Sequence, residues 1–239
     1  MSAVRIFWYN WPAYCGAVAF ALVALAVVPA VLPALAMFGI AAATVVLGWA
    51  ALSLLVSHWV YDRSSLVGGR WLADLVRPRV WASVDAGLDA EVDLTTLGGT
   101  CAARLDMFDA TVMTAPSIRR ARKRTARVQP GVRCKPETLA LASNSCDAIV
   151  VAFAAHELRD ARTRELFFDE LHRALTLHGR VILVEHVRDW ANFAAFGPGV
   201  LHFQSRVEWL RLAAHAHLKV ADERRITPFV MVLTVEKSQ

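Results

Sequence analysis

The stretch Asn144–Asp160, NSCDAIVVAFAAHELRD, decides how the rest of the chain is read. In the segment DAIVVAFAA the residues after Asp147 form an unbroken apolar run to Ala155, mostly β-branched and small, the texture of a strand buried on both faces of a parallel sheet. It stops at His156 and Glu157. These polar residues are therefore expected just beyond the carboxyl end of a central strand.

Working outward by period and punctuation, RVWASVDAG reads as a strand ending near Gly87, AEVDLTTL as a helix, and ARLDMFDA as a second strand ending near Asp106. SIRRARKRTAR is a helix opened by Ser117 after Pro116, and GVRCK is a short third strand. After the opening stretch come an amphipathic helix, TRELFFDELHRAL, a fifth strand, LHGRVILVEH, entered through a glycine turn, and a helix capped by Ser205. HLKVADERRITPFVMVLTVEK closes the chain as a hairpin-like pair. Alternating strands and helices imply an α/β, doubly wound sheet with helices on both faces. Ligands gather beyond the carboxyl ends of such strands. Applied here, the rule collects Asp85, Gly87, Asp89, Asp106, Asp109, His156, Glu157, Glu185 and His186 along one rim.

Composition adds a second part. Hydrophobic residues make up 56% of the 239 residues, yet no Asp, Glu, Lys or Arg occurs between Arg5 and Asp62. A membrane-spanning helix needs about 20 apolar residues, so this front fits two, with Pro29 and Pro33 at the reversal. Trp8, Tyr9, Trp11 and Tyr14 at one end and Trp59 and Tyr61 at the other suit interfacial belts. Residues 1–62 are thus expected to form a transmembrane hairpin and residues 63–239 a globular domain. Arg5, Arg63, Arg70, Arg77 and Arg79 flank the spans while the turn carries no charge, which places both ends, and the domain, on the cytoplasmic side of the inner membrane. Cys15, Cys101, Cys134 and Cys146 form no CxxC pair, in keeping with a reducing compartment. The formal net charge of +5 owes much to the run from Arg119 to Lys135. Without interleaved aromatics it favours anionic lipid headgroups over nucleic acid. Small residues on the hairpin faces would also allow self-association into a homo-oligomer.

With these elements in place, residues 63–239 resemble the class I S-adenosylmethionine-dependent methyltransferases. The segment SNSCDAIVVAFAAHELRDARTRELFFDELHRALTLHGRVILVEH is similar to the family's fourth strand, following helix and fifth strand, with Leu171, Arg173, Leu175, His178, Gly179 and Arg180 in the helix and turn. TPFVMVLTVEK fits its last strands. The resemblance implies a Rossmann-like, mostly parallel seven-stranded sheet and S-adenosyl-L-methionine as cofactor. Asp85 and Gly87 match the acidic residue and first glycine of the family's GxGxG turn, but Asp89 and Glu91 stand where later glycines would be. Asp106 or Asp109 would accept the ribose hydroxyls. The loop from Cys134 to Thr138, with Glu137 and Thr138, would hold the adenine, and Ala154 would contact the cofactor. A nicotinamide-dependent oxidoreductase on the same sheet would need a GxGxxG motif, of which VDAGLDAEV has one glycine. A non-catalytic membrane scaffold with a decayed cofactor site is the other alternative.

Methyl transfer mainly requires alignment of nucleophile and methyl group in a dry pocket. A proton acceptor is needed when the acceptor arrives protonated, and His156 suits that task near neutrality. Glu157 and His186 join it as candidate catalytic groups, although Glu157 points away from His156 if the backbone stays extended. Tyr61, Arg63, Glu185 and His202 are the candidate substrate contacts for a small or lipid-soluble acceptor. WANFAAFGPGVLHF, aromatic and glycine-rich, reads as a lid over the pocket or as a segment packed on the hairpin. No HxxxH or similar local chelate is present, so no metal is expected.

Overall fold

The computed structural model describes residues 3–87, 92–124 and 131–238. Its elements are labelled α1 (Ala3–Leu22), α2 (Ala36–His58), β1 (Val80–Asp85), β2 (Thr100–Asp106), α3 (Pro116–Arg124), β3 (Val132–Arg133), β4 (Cys146–Ala152), α4 (Ala161–Ala174), β5 (Leu175–His186), α5 (Trp190–Phe196), α6 (Arg206–His215), β6 (Leu218–Thr227) and β7 (Val230–Lys237).

The seven strands form one sheet in the order β3-β2-β1-β4-β5-β7-β6. β1 to β5 pair in parallel, and β7 runs antiparallel between β5 and β6. The chain winds outward from β1 through β2 to β3, then restarts on the other side of β1 with β4. The edge of β1 and β4 is the switch point at which ligands bind in such sheets. Alternation along the strands feeds two cores. Ile149, Val151, Val181, Leu183, Met231 and Leu233 face a layer with Phe167, Phe168 and Trp209 of α4 and α6. Ala148, Val150, Ile182, Val184, Val230 and Val232 face Leu66, Trp71, Leu72 and Leu94 on the other side.

Two local expectations change. AEVDLTTL contains no regular helix among the described residues; Leu94–Leu97 makes a single 3-10 turn, whose cap Asp93 accepts the Thr95 N–H at 3.0 Å. Adjacent threonines favour helices poorly, and Gly98 and Gly99, both at φ +64°, end the turn at once. The glycine turn before the fifth strand is instead absorbed within β5: Cys146 faces Leu175 and Ala148 faces Arg180, so residues 176–179 bulge. Gly179 is required there, because a Cβ would lie 2.8 Å from the Cys146 carbonyl oxygen.

The apolar front folds as two antiparallel helices. The first continues from α1 to Val31, and the chain reverses at Leu32 before Pro33. Val4–Val31 and Pro33–Arg63 are each long and apolar enough to cross a membrane. Ala21, Ala24 and Ala43 form the contact between them, while Met37 (74%) and Phe38 (73%) lie exposed. Helices of this composition in a soluble core would be mostly buried. Contacts of the pair with the domain include the Trp49 indole donating to the Ala194 carbonyl of α5 at 2.7 Å, Arg120 Nε donating to the Tyr9 carbonyl at 2.5 Å, and Tyr61 bonding His186.

Candidate active site

β4 ends at Ala152, and Phe153, at φ +50°, turns the chain into a 3-10 turn, Ala155–Glu157. The N–H groups of Ala154, Ala155 and His156 all point at one oxygen, Oε1 of Glu185 on neighbouring β5, at 3.1, 2.9 and 3.3 Å. Its other oxygen, Oε2, accepts from Nδ1 of His156 at 2.7 Å. A carboxylate only accepts, so the proton sits on Nδ1, and Nε2 is left as the basic nitrogen. Burial alone would depress the His156 pKa, but the charge and hydrogen bond of Glu185 and the charge of Glu157 outweigh it and raise the pKa above the ordinary value. Glu185 is fully buried and occupied by these four donors. It holds the His156 ring in place and, although expected as a substrate contact, stands outside the cavity lining. Ala154, expected as a cofactor contact, is likewise fully buried with its N–H on Glu185.

Because the backbone turns here, Glu157 comes back to His156: Oε1 is 3.6 Å from His156 Nε2 and 3.1 Å from His202 Nε2. Oε2 of Glu157 is buried with no hydrogen-bond partner. Arg159 contacts the His202 imidazole and donates to its carbonyl at 3.2 Å, fixing the end of the lid segment. One ligand atom each from His156, Glu157 and His202 lies within 4.8 Å of the others, a closeness the hydrogen bond from His202 to Glu157 accounts for.

His186 has another role than expected. Its Nδ1–H donates to the Phe229 carbonyl at 2.8 Å, its Nε2 meets the Tyr61 hydroxyl, and burial pushes its pKa down to about 4. Both nitrogens are engaged, so this neutral imidazole joins the second apolar helix to β5. Tyr61, buried beside Phe153, is its partner. Arg63 is exposed and outside the cavity lining, because the helix ends at Ser64 and the chain leaves the rim.

A cavity of about 610 Å³ lies over this rim. α1 and α2 form its long wall, Phe196 to Phe203 its lid, and His156, Glu157, His186 and His202 its polar end. The segment from Trp190 is thus both lid and hairpin contact, with Trp49 edge-on to Phe193 at 5.6 Å.

The other half of the rim lies behind α3, whose Ile118 and Ala121 line the cavity while the next residue, Arg122, reaches away to β2. Arg122 Nη1 lies 3.0 Å from Asp106 Oδ2 and donates to the Gly87 carbonyl at 2.6 Å, with the guanidinium over the Phe108 ring at 4.8 Å. Gly87, at φ +76°, accepts no side chain: a Cβ would meet Arg122 and lie 2.7 Å from Asp106 Oδ1. Asp85 Oδ1 accepts the Gly87 N–H at 2.6 Å. Asp106 is buried at its strand tip, whereas Asp109 is occupied by the N–H and hydroxyl of Thr111 at 2.8 and 2.6 Å, which hold its pKa low. Of the two ribose candidates, Asp106 has the better position. Glu137 and Thr138 belong to the turn after β3, closed by the Thr138 N–H on the Lys135 carbonyl at 3.1 Å. Asp89 lies outside the described residues. None of the described residues named for the cofactor lines the cavity.

A paired carboxylate and a bare glycine at adjacent strand tips fit a nucleoside, provided Arg122 withdraws. Its guanidinium supplies Asp106 with the donors that ribose hydroxyls would bring, and it is the far end of a flexible side chain. The sequence signal for Arg122 was helical spacing, since it stands four residues after the buried Ile118.

The family described as a methyltransferase domain matches residues 101–183, from β2 to β5 and so beyond the altered glycine turn. No curated protein matches the chain significantly in sequence. Among solved structures, an S-adenosylmethionine-dependent methyltransferase from Aquifex aeolicus is similar with a TM-score of 0.55 at 14% identity, over 78% of this chain and 97% of that one. The 1,6-didemethyltoxoflavin-N1-methyltransferase of Burkholderia thailandensis, solved with 1,6-didemethyltoxoflavin and S-adenosylhomocysteine, gives 0.50 at 19% identity, over 80% of this chain and 90% of that one. These are likenesses of fold. Taken with the family match, they show a sheet with the fold of S-adenosylmethionine-dependent methyltransferases, in which residues 101–183 match the methyltransferase-domain family.

Proposed function

We propose that the chain is a membrane-anchored methyltransferase that modifies a small or lipid-soluble acceptor, with its catalytic domain on the cytoplasmic face of the inner membrane. The observation that carries this reading is the cavity itself, walled by the apolar hairpin and ending at a histidine held by a buried carboxylate. An apolar compound partitions into lipid, so a site opening beside the spans meets it without extraction into water.

Asp106, Asp85 and the Gly87 backbone would hold S-adenosyl-L-methionine, which when bound supplies an electrophilic methyl group on a positively charged sulfur. The chain's own residues do the rest. The lid and hairpin exclude water, the cavity walls orient the acceptor, and Nε2 of His156 takes the acceptor's proton. Such proton acceptance contributes about 10²–10⁴ in rate.

A scaffold with a closed cofactor site is favoured by one observation, the Arg122 guanidinium lying on Gly87 and Asp106. Reconstituted full-length protein given tritiated methyl donor and extracts of membrane lipids, quinones, phenols and small thiols separates the two. Label in the apolar fraction that disappears with His156→Ala supports the enzyme; absence of label from every class supports the scaffold.

A further inference from the structure

The cavity is a slot more than a bowl. Ile6, Ala13 and Ala17 of α1 and Val46, Ala50 and Ser53 of α2 line it, one stripe on each helix. Eleven residues separate Ile6 from Ala17, which at about 1.5 Å per residue is a length of roughly 16 Å. The stripes recur at helical spacing, and the small residues among them leave room between helices whose large side chains, Val18 (51%), Leu47 (38%) and Leu55 (66%), face outward. The slot therefore runs from the sheet rim down between the two apolar helices.

Its polar end contains two buried oxygen atoms with no partner: Oε2 of Glu157, which can only accept while ionised, and Oγ of Ser57. A helical serine ordinarily bonds the carbonyl one turn back; Ser57 lines the cavity instead. A buried unpaired polar atom costs roughly 1–3 kcal/mol, so both oxygens suit a ligand that brings hydrogen-bonding groups. Around them stand the rings of Tyr61, Phe153, Phe196 and Phe203. Flat aromatic walls favour a flat ligand head.

We infer that the slot binds a hydroxylated aromatic amphiphile: a planar head with at least two hydrogen-bonding groups at Glu157 and Ser57, and an apolar tail lying between α1 and α2. This rests on reading the cavity as the acceptor site. The lid helix meets α2 at Trp49, nine residues before its end at His58 or about 14 Å deep, so the ligand enters sideways from the bilayer.

The test uses a 4-alkylcatechol with a diazirine at the end of its tail, photolysed with the full-length protein in lipid nanodiscs and mapped by mass spectrometry. Adducts should fall on Ala17, Val46 and Ala50. Ala17→Phe should reduce those on Val46 and Ala50 at least tenfold without changing adducts on Leu47, and Val18→Phe, on the outer face, should change neither. Adducts confined to Val18, Leu47 and Leu55, or unaltered by Ala17→Phe, overturn the inference. The readout needs neither cofactor nor turnover. Slot labelling without methylation would sink the enzymatic reading alone, and methylation without slot labelling would sink this inference alone.

Discussion

Nδ1 of His156 and Oε2 of Glu185 lie 2.7 Å apart across neighbouring strands, and the second oxygen of the same carboxylate gathers three consecutive backbone N–H groups of the turn that carries the histidine. One buried side chain thus fixes the position, the tautomer and the basicity of the other.

Replacing that carboxylate tests the arrangement. Glu185→Gln retains an oxygen for the backbone donors but can present N–H to His156 Nδ1, moving the imidazole proton to the wrong nitrogen. Turnover should fall about a hundredfold or more, with cofactor affinity unchanged by calorimetry. His156→Ala should show a similar loss, and the double variant little further. Glu185→Ala is uninformative for mechanism, because three orphaned N–H groups at about 1–3 kcal/mol each would weaken the fold.

The pH profile follows from the charges facing His156. Glu185 and Glu157 raise its pKa, burial and Arg159 lower it, and the balance is upward; neutral His186 and half-buried His202 complete its surroundings. A proton acceptor works only when neutral, so kcat should be lost as pH falls through a midpoint above the ordinary histidine value of about 6.5. Glu157→Gln removes one raising charge and should move that midpoint down; an upward move would contradict the assignment.

Arg122 occupies Asp106 and the Gly87 carbonyl, the groups proposed to hold the cofactor. Arg122→Ala should therefore tighten S-adenosylmethionine binding severalfold in calorimetry. Weaker binding would instead make the guanidinium part of the cofactor site.

Oε1 of Glu157 lies 3.1 Å from His202 Nε2 and 3.6 Å from His156 Nε2. Methyl transfer should persist undiminished after dialysis against EDTA, as measured by label incorporation, and should not rise on adding Mg²⁺ or Zn²⁺.

The alternation of strands and helices was legible because Ala148–Ala155 and the other strand segments carry apolar runs separated by polar, amphipathic stretches. His156 was legible because it follows such a run immediately. The role of Glu185 was not, since pairing across β4 and β5 depends on the bulge at residues 176–179, which sets the register. The partners of His186 were hidden for a similar reason: Tyr61 and Phe229 are 125 and 43 residues away in sequence. Among the described residues of AEVDLTTL only the 3-10 turn Leu94–Leu97 forms, because two threonines and a double glycine outweigh the loose periodicity. Arg122 was hidden in a basic run that reads as a solvated face.

The account depends most on cofactor recognition by strand tips that have lost the usual glycines. Titration of the full-length protein with S-adenosylmethionine and S-adenosylhomocysteine by calorimetry tests this directly. Saturable heat that Asp106→Ala abolishes is the expected result. No heat and no thermal shift at millimolar ligand, in the natural chain and in Arg122→Ala alike, would contradict it.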